Sequence, residues 1–245
     1  PAELPVTLGV MDWGVGGSFA AVAAAEHVPG LDVIYRADTA NRPYGTQTRS
    51  ELAASVQAAM NRLADAGATH VLIACHSAST ALPDTEPPVP TWGVIDASSV
   101  PDVPSALVIG GARTIRSGHW RRALLRARPA RRVMQRIAQP LSAHVEAGRT
   151  GHASCLSDLD HILAPARHAH AVVLACTHYA ALTEAIRTRM PSAVVVDPAM
   201  HVVRQLPLAP GQGRFDIDTT GDRATLLASG RSALAGRLDA HVHPL

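Results

Sequence analysis

The sequence predicts an α/β protein built of two similar doubly wound parallel-sheet lobes, with the active site in the cleft between them. Three observations predict it. Short β-branched runs alternate with helical stretches along all 245 residues. The strand runs are apolar throughout instead of alternating, as strands covered on both faces of a parallel sheet are. One apolar run that ends in cysteine occurs twice, as "VLIAC" (71–75) and "AVVLAC" (171–176).

In chain order, "VTLGVM" (6–11), "DVIYRA" (32–37), "VLIAC" (71–75), "TWGVI" (91–95), "ALVIG" (106–110), "AVVLAC" (171–176) and "AVVVD" (193–197) read as strands. The clearest helix is 49–66. Leu52, Val56, Met60 and Leu63 share one face, "TRSE" (48–51) forms a capping-box pattern at its start, and Gly67 follows its end. Proline-rich passages at 83–92 and 100–105 mark a crossing between lobes, and composition changes again near 204–216. Residues 1–97 with 208–245 are therefore expected to form the first lobe, carrying Cys75. Residues 98–207 are expected to form the second, carrying Cys176.

Composition narrows the function classes. The chain is 47% hydrophobic but only 3% aromatic, so its core is built of Ala, Val, Leu and Ile. A net charge of +2 calls for neither a nucleic-acid nor a membrane partner. No apolar run approaches the ~20 residues that span a bilayer, and the first residues lack a signal pattern, so a soluble cytoplasmic protein is expected. All 22 basic residues are Arg. Without a lysine amine, Schiff-base and pyridoxal chemistry are excluded. The three cysteines, Cys75, Cys155 and Cys176, form no CxxC pair, which argues against a disulfide framework and against structural zinc.

Nine arginines lie between 113 and 136, and a solvated helix face explains them better than a phosphate or nucleic-acid patch, because Trp120 is the only aromatic among them. The pairs His168/His170 and His241/His243 lack matching cysteine or carboxylate spacing and read as surface histidines instead of a metal site. Cys155 sits in a helical pattern and reads as packing.

Cys75 and Cys176 each end a strand and precede a helix. Ligands of open α/β sheets bind outside the carboxyl ends of strands. A thiol at a helix start is favoured as thiolate, and an unperturbed thiol pKa of ~8.5 is close enough to neutrality for acid/base work. One such cysteine reads as a buried small hydrophobe; two in an internal echo point to paired chemistry. One thiol makes a planar carbanion and the other reprotonates it from the opposite face, which inverts the carbon with no metal or organic cofactor.

At these residues the chain resembles the cofactor-independent glutamate racemases. "MDWGVGG" (11–17) is similar to that family's "DSGVGG" and "YRADTANRPYG" (35–45) to "YFADTARxPYG". "ACHSAS" (74–79) is similar to "ACNTAS" and "LACTHY" (174–179) to "GCTHY". "IGGARTIRSGHW" (109–120) and "QPLSAHVEAG" (139–148) match further segments in order. The resemblance covers most of the chain. It implies that Cys75 and Cys176 are the acid/base thiols, that Asp12 supports Cys75, and that Glu146 and His178 support Cys176. It implies that Pro43, Tyr44 and Gly45 meet the substrate's side-chain carboxylate, and that Thr114 and Thr177 meet its α-carboxylate and amino group. It further implies a small amino-acid substrate, D-glutamate production for peptidoglycan, and a homodimer. Taken singly, Asp12 is equally a turn residue, Glu146 a helix-end charge, His178 a packing residue and "PYG" a turn.

Two departures stand in the pattern. Trp13 replaces the family's Ser, which is expected to meet the substrate ammonium group, and His76-Ser77 replaces Asn-Thr. Indole offers one donor and accepts nothing. These changes bear on specificity more than on thiol chemistry, since a polar site discriminates by ~10⁴ against a mismatched ligand. The leading expectation is a two-thiol glutamate racemase. Its alternatives are a relative acting on aspartate or a hydantoin-like compound, and a binding module that keeps the scaffold without turnover.

Overall fold

The apolar runs assemble into two all-parallel sheets. In the computed structural model, which describes residues 5–127, 129–222 and 224–226, the elements run as follows. The first part holds β1 (Thr7–Asp12), α1 (Ser18–His27), β2 (Asp32–Ala37), α2 (Arg49–Asp65), β3 (His70–Ile73), α3 (His76–Ser79) and β4 (Thr91–Gly93). Next come β5 (Val103–Gly110), α4 (Ala112–Ser117), α5 (His119–Ala127), β6 (Ala130–Ile137), α6 (Gln139–Glu146), α7 (Ala153–Leu163), β7 (Ala171–Ala175), α8 (Thr183–Arg189) and β8 (Val194–Val196). Last are α9 (Pro198–Gln205) and β9 (Phe215–Thr219).

The strand order is β4-β3-β1-β2-β9 in the first sheet and β6-β5-β7-β8 in the second. Read from its other edge, the second sheet is β8-β7-β5-β6, the same winding as β4-β3-β1-β2. In both sheets the first strand is central, the second lies on one side of it, and the third and fourth lie on the other. Cys75 and Cys176 each follow the third strand of their sheet. The short sequence echo is thus the visible part of a repeated topology, and among the described residues β9 is the strand the first sheet has in addition.

Burial on both faces gives the strands their continuous apolar character. On β1, Leu8 and Val10 face one cluster with α1, and Met11 faces another with α2. On β5, Leu107 and Ile109 face a cluster with α6 and α7, while Ala106 and Val108 face Trp120 and Leu124 of α5. Helix α2 forms where the sequence places it. Leu52, Val56, Met60 and Leu63 are buried, the Thr48 side chain accepts from the Glu51 amide, and Glu51 accepts from the Thr48 amide. Such a cap contributes ~1 kcal/mol.

The contacts divide the chain into two units. One holds residues up to Val94 together with those from Ala199 on, and the other spans Ile95–Pro198. Helix α9 joins the first unit because Ala199, Val202 and Val203 enter the cluster around β1, β2 and α1. The prolines of 204–216 follow that helix and do not mark where the packing changes.

The arginine-rich stretch corrects the sequence reading. It is not one helix face. Arg113 and Arg116 lie on α4, Arg121, Arg122 and Arg126 on α5, and Arg131, Arg132 and Arg136 on β6; Arg128 lies outside the described residues. Strand β6 is an edge strand, with Arg131 and Arg132 exposed. A strand half open to solvent need not be apolar, and its arginines disfavour pairing with another edge. That is why no apolar run announced it.

Candidate active site

In the first unit, predicted site residues gather at the carboxyl ends of β1, β2 and β3. The Ala74 amide donates to the Met11 carbonyl (3.0 Å) and the Asp38 amide to the Asp12 carbonyl (3.1 Å), which ties the three strand ends together. Cys75 caps α3 in extended conformation and is part-exposed. Asp12 is buried, and its Oδ1 accepts from the Trp13 amide at 2.6 Å. Gly17 permits this packing. A Cβ there would lie 2.6 Å from the Asp12 Cβ and 3.0 Å from the Tyr35 ring, closer than side chains tolerate.

Tyr44 is 1% exposed and donates its hydroxyl to Asp38 Oδ2 at 2.9 Å. Burial pushes the phenol far up, and the negative charge of Asp38, with smaller contributions from Cys75 and Asp12, adds to this. The tyrosine therefore stays neutral among three acidic groups. Trp13 packs on the α2-side cluster and spends its single N–H on the Asn41 carbonyl at 2.8 Å. His76 is 2% exposed, and desolvation pushes its imidazole down to about 3, so it is neutral at physiological pH. Pro43 and Gly45 are exposed beside Tyr44, and Ser77 is part-exposed on α3.

In the second unit, predicted site residues gather at the ends of β5 and β7. Cys176 follows β7 and precedes a tight turn, Thr177–Leu182. The His178 Nδ1 lies 3.7 Å from Cys176 Sγ, and its Nε2 lies 2.5 Å from Glu146 Oε1 at the end of α6. Thiol, imidazole and carboxylate thus stand in line. Burial opposes the imidazolium form. The bonds to Cys176 and Glu146 and their negative charges outweigh it and raise His178 well above the ordinary histidine value. Thr177 and Thr114 are both buried, the latter on α4 just past the end of β5. The Gly110–Ala175 pairing sets β5 and β7 side by side at that end.

Two further buried residues contact the predicted ones without having been singled out in the sequence. Asp38 lies inside the quoted "YRADTANRPYG" but drew no role, although it is buried and holds Tyr44. Tyr179 lies inside "LACTHY". It is fully buried, its hydroxyl donates to the Ala138 carbonyl at 2.6 Å, and burial together with the neighbouring Cys176 holds the phenol neutral. Both were legible as motif members; only packing reveals what their hydroxyl and carboxylate touch. His170 bonds Ser105 through Nδ1 at 2.9 Å, and among the described residues no three histidine, cysteine or acidic side chains cluster for a metal. His241 and His243 lie outside the described residues. Cys155 is buried on α7.

Two parallel-sheet α/β lobes of this kind match the fold of solved amino-acid racemases. The structure superimposes on glutamate racemase from Thermus thermophilus in complex with beta-chloro-D-alanine with a TM-score of 0.82 at 27% identity, covering 97% of this chain and 94% of that one. Glutamate racemase from Limosilactobacillus reuteri is 30% identical over 246 residues, 93% of this chain and 92% of that protein. The relative from Gloeobacter violaceus is 31% identical over 213 residues, 83% of this chain and 80% of its own length. No protein-family model matches the chain. The chain belongs to the glutamate racemase family, whose members are isomerases.

Proposed function

We propose that this protein racemises glutamate, with Cys75 and Cys176 as its two acid/base groups and no metal or organic cofactor, and that it supplies D-glutamate for peptidoglycan in the cytoplasm. The observation that carries this reading is the Cys176–His178–Glu146 line at a strand end topologically equivalent to the one that presents Cys75.

In one direction Cys176, its proton passed to His178, takes the α-proton as its sulfur forms an S–H bond. The C–H electron pair moves onto Cα and into the carboxylate. The Cys75 thiol then gives its proton to the opposite face and is left as thiolate. The reverse direction exchanges the roles. Glu146 stabilises the charged imidazole, and Asp12 supports Cys75. Pro43, Tyr44 and Gly45 hold the side-chain carboxylate. Since the Tyr44 hydroxyl is engaged by Asp38, its contribution is backbone and shape. Thr114, Thr177 and Ser77 hold the α-carboxylate and ammonium groups.

A second reading, a different small carboxylate such as aspartate or a hydantoin-like compound, is favoured by one observation. The indole N–H of Trp13 is already committed to Asn41, so Trp13 does not offer glutamate what the family's Ser does. The test is incubation of metal-stripped protein with L- and D-glutamate in D₂O, following the α-proton. Exchange from both enantiomers is expected. Exchange from neither, with exchange from another member of an amino-acid and hydantoin panel, replaces glutamate as the substrate.

A further inference from the structure

The family motif "YFADTARxPYG" places an aromatic residue where this chain has Arg36. That arginine is 7% exposed, on the face of β2 that packs under α2. A guanidinium there is costly unless paired. Its partner comes from β9, the additional strand of the first sheet. Strand β9 lies in register with β2 so that Asp218 stands directly beside Arg36, and its Oδ2 takes the Arg36 Nη1. The Arg36 Nη2 lies 3.7 Å from Asp38 Oδ1.

From Asp38 the contacts run into the loop 38–45. Its Oδ2 accepts from Tyr44, and its Oδ1 accepts from Thr220 at 3.3 Å. Thr220 Oγ1 also accepts from the Ala40 amide at 3.0 Å, and Thr39 meets Thr219 at 3.3 Å. Gly221 completes the fit, since a Cβ there would collide with Thr39 Oγ1. The end of β9 therefore grips the loop from outside while Arg36 grips Asp38 from beneath.

We infer that Arg36 and Asp218 act as a pair of positioning residues, setting Asp38 and through it the Tyr44–Gly45 backbone at the place where the substrate's distal carboxylate is bound. This rests on the proposed glutamate reading. In that reading the loop governs substrate anchoring and not proton transfer, so loosening it raises KM and spares kcat. The family motif has a neutral Phe at this position. Here the cation is present, and Asp218 keeps it from being an unpaired buried charge.

The test uses the full chain with Asp218→Asn, Asp218→Glu, Arg36→Phe and Thr220→Val. Expected for Asp218→Asn and Arg36→Phe is a KM for glutamate raised about tenfold, the value of one charged hydrogen bond, with kcat within about threefold. Asp218→Glu restores most of the loss, and Thr220→Val, at the solvent side of the grip, shows the same split to a smaller degree. Hydrogen exchange is read in parallel at the Asn41 and Thr46 amides, which donate to Asp38 and Pro43 carbonyls in the loop. Faster exchange at these amides, with amides of α1 unchanged, supports the inference even if wild-type protein proves inactive on glutamate; that second result overturns only the substrate reading. Folded variants with unchanged KM and unchanged loop exchange overturn the inference, as does a fall confined to kcat. If Asp218→Asn does not fold, Thr220→Val decides by the same two readouts.

Discussion

Replacing Glu146 by Gln tests the second thiol arm at its outermost member. The carboxylate oxygen lies 2.5 Å from His178 Nε2, the histidine side chain is 10% exposed and the glutamate 38%. A hydrogen bond to a charged group is worth ~1.5–3 kcal/mol, and partial exposure of Glu146 reduces this to ~1–2 kcal/mol. Each 1.36 kcal/mol is about tenfold in rate, so kcat/KM should fall about 5- to 30-fold. The fall must be equal for both enantiomers, because they have equal free energy and the equilibrium constant is fixed by symmetry. The weakened arm appears instead in the α-deuterium isotope effect, which should grow for the enantiomer that Cys176 deprotonates. Stability supplies an independent check. The His178 value is raised on folding, so its contribution is fully present below the unfolded value of ~6.5 and is lost as pH rises through the folded value. The Glu146→Gln change removes one raising cause, so the contribution should be smaller and its loss should be complete at lower pH. Urea denaturation across pH, with isotope effects measured on deuterated L- and D-glutamate, tests both. Unchanged kcat/KM together with an unchanged stability profile would refute the relay.

Further outcomes are expected. Cys75→Ser and Cys176→Ser should each abolish racemisation, while each keeps one-base elimination of chloride from one enantiomer of β-chloroalanine; pyruvate release measured separately from the L- and the D-enantiomer should give opposite preferences, and identical preferences would sink the two-base assignment. Trp13→Ser should release the Asn41 carbonyl and lower the KM for glutamate if the indole occupies the ammonium position, with thermal melting reporting the lost packing. His76→Asn is the poorer single test, since it sets an amide in a desolvated site where an unmet hydrogen bond costs ~1–3 kcal/mol.

Much of this protein was decided by sequence alone. Continuous apolar runs mark strands buried on both faces, and these runs carried β1, β2, β3, β5 and β7 to within a few residues. The capping box and apolar stripe did the same for α2. Cysteines at the ends of two such runs, with the motif residues around them, pointed to racemase chemistry because strand ends are where parallel sheets expose reactive groups. Other features belong to tertiary structure. Strand β6 is arginine-rich because an edge needs no second apolar face, and β9 (FDIDT) carries Asp218 where it meets Arg36 across the sheet. Neither has a local signature. The side-chain commitments of Trp13, Tyr44 and His76 were equally hidden. Residue type shows what a group is able to donate or accept, but only packing decides whether that capacity is left for a substrate or already taken by Asn41, by Asp38, or by burial away from water.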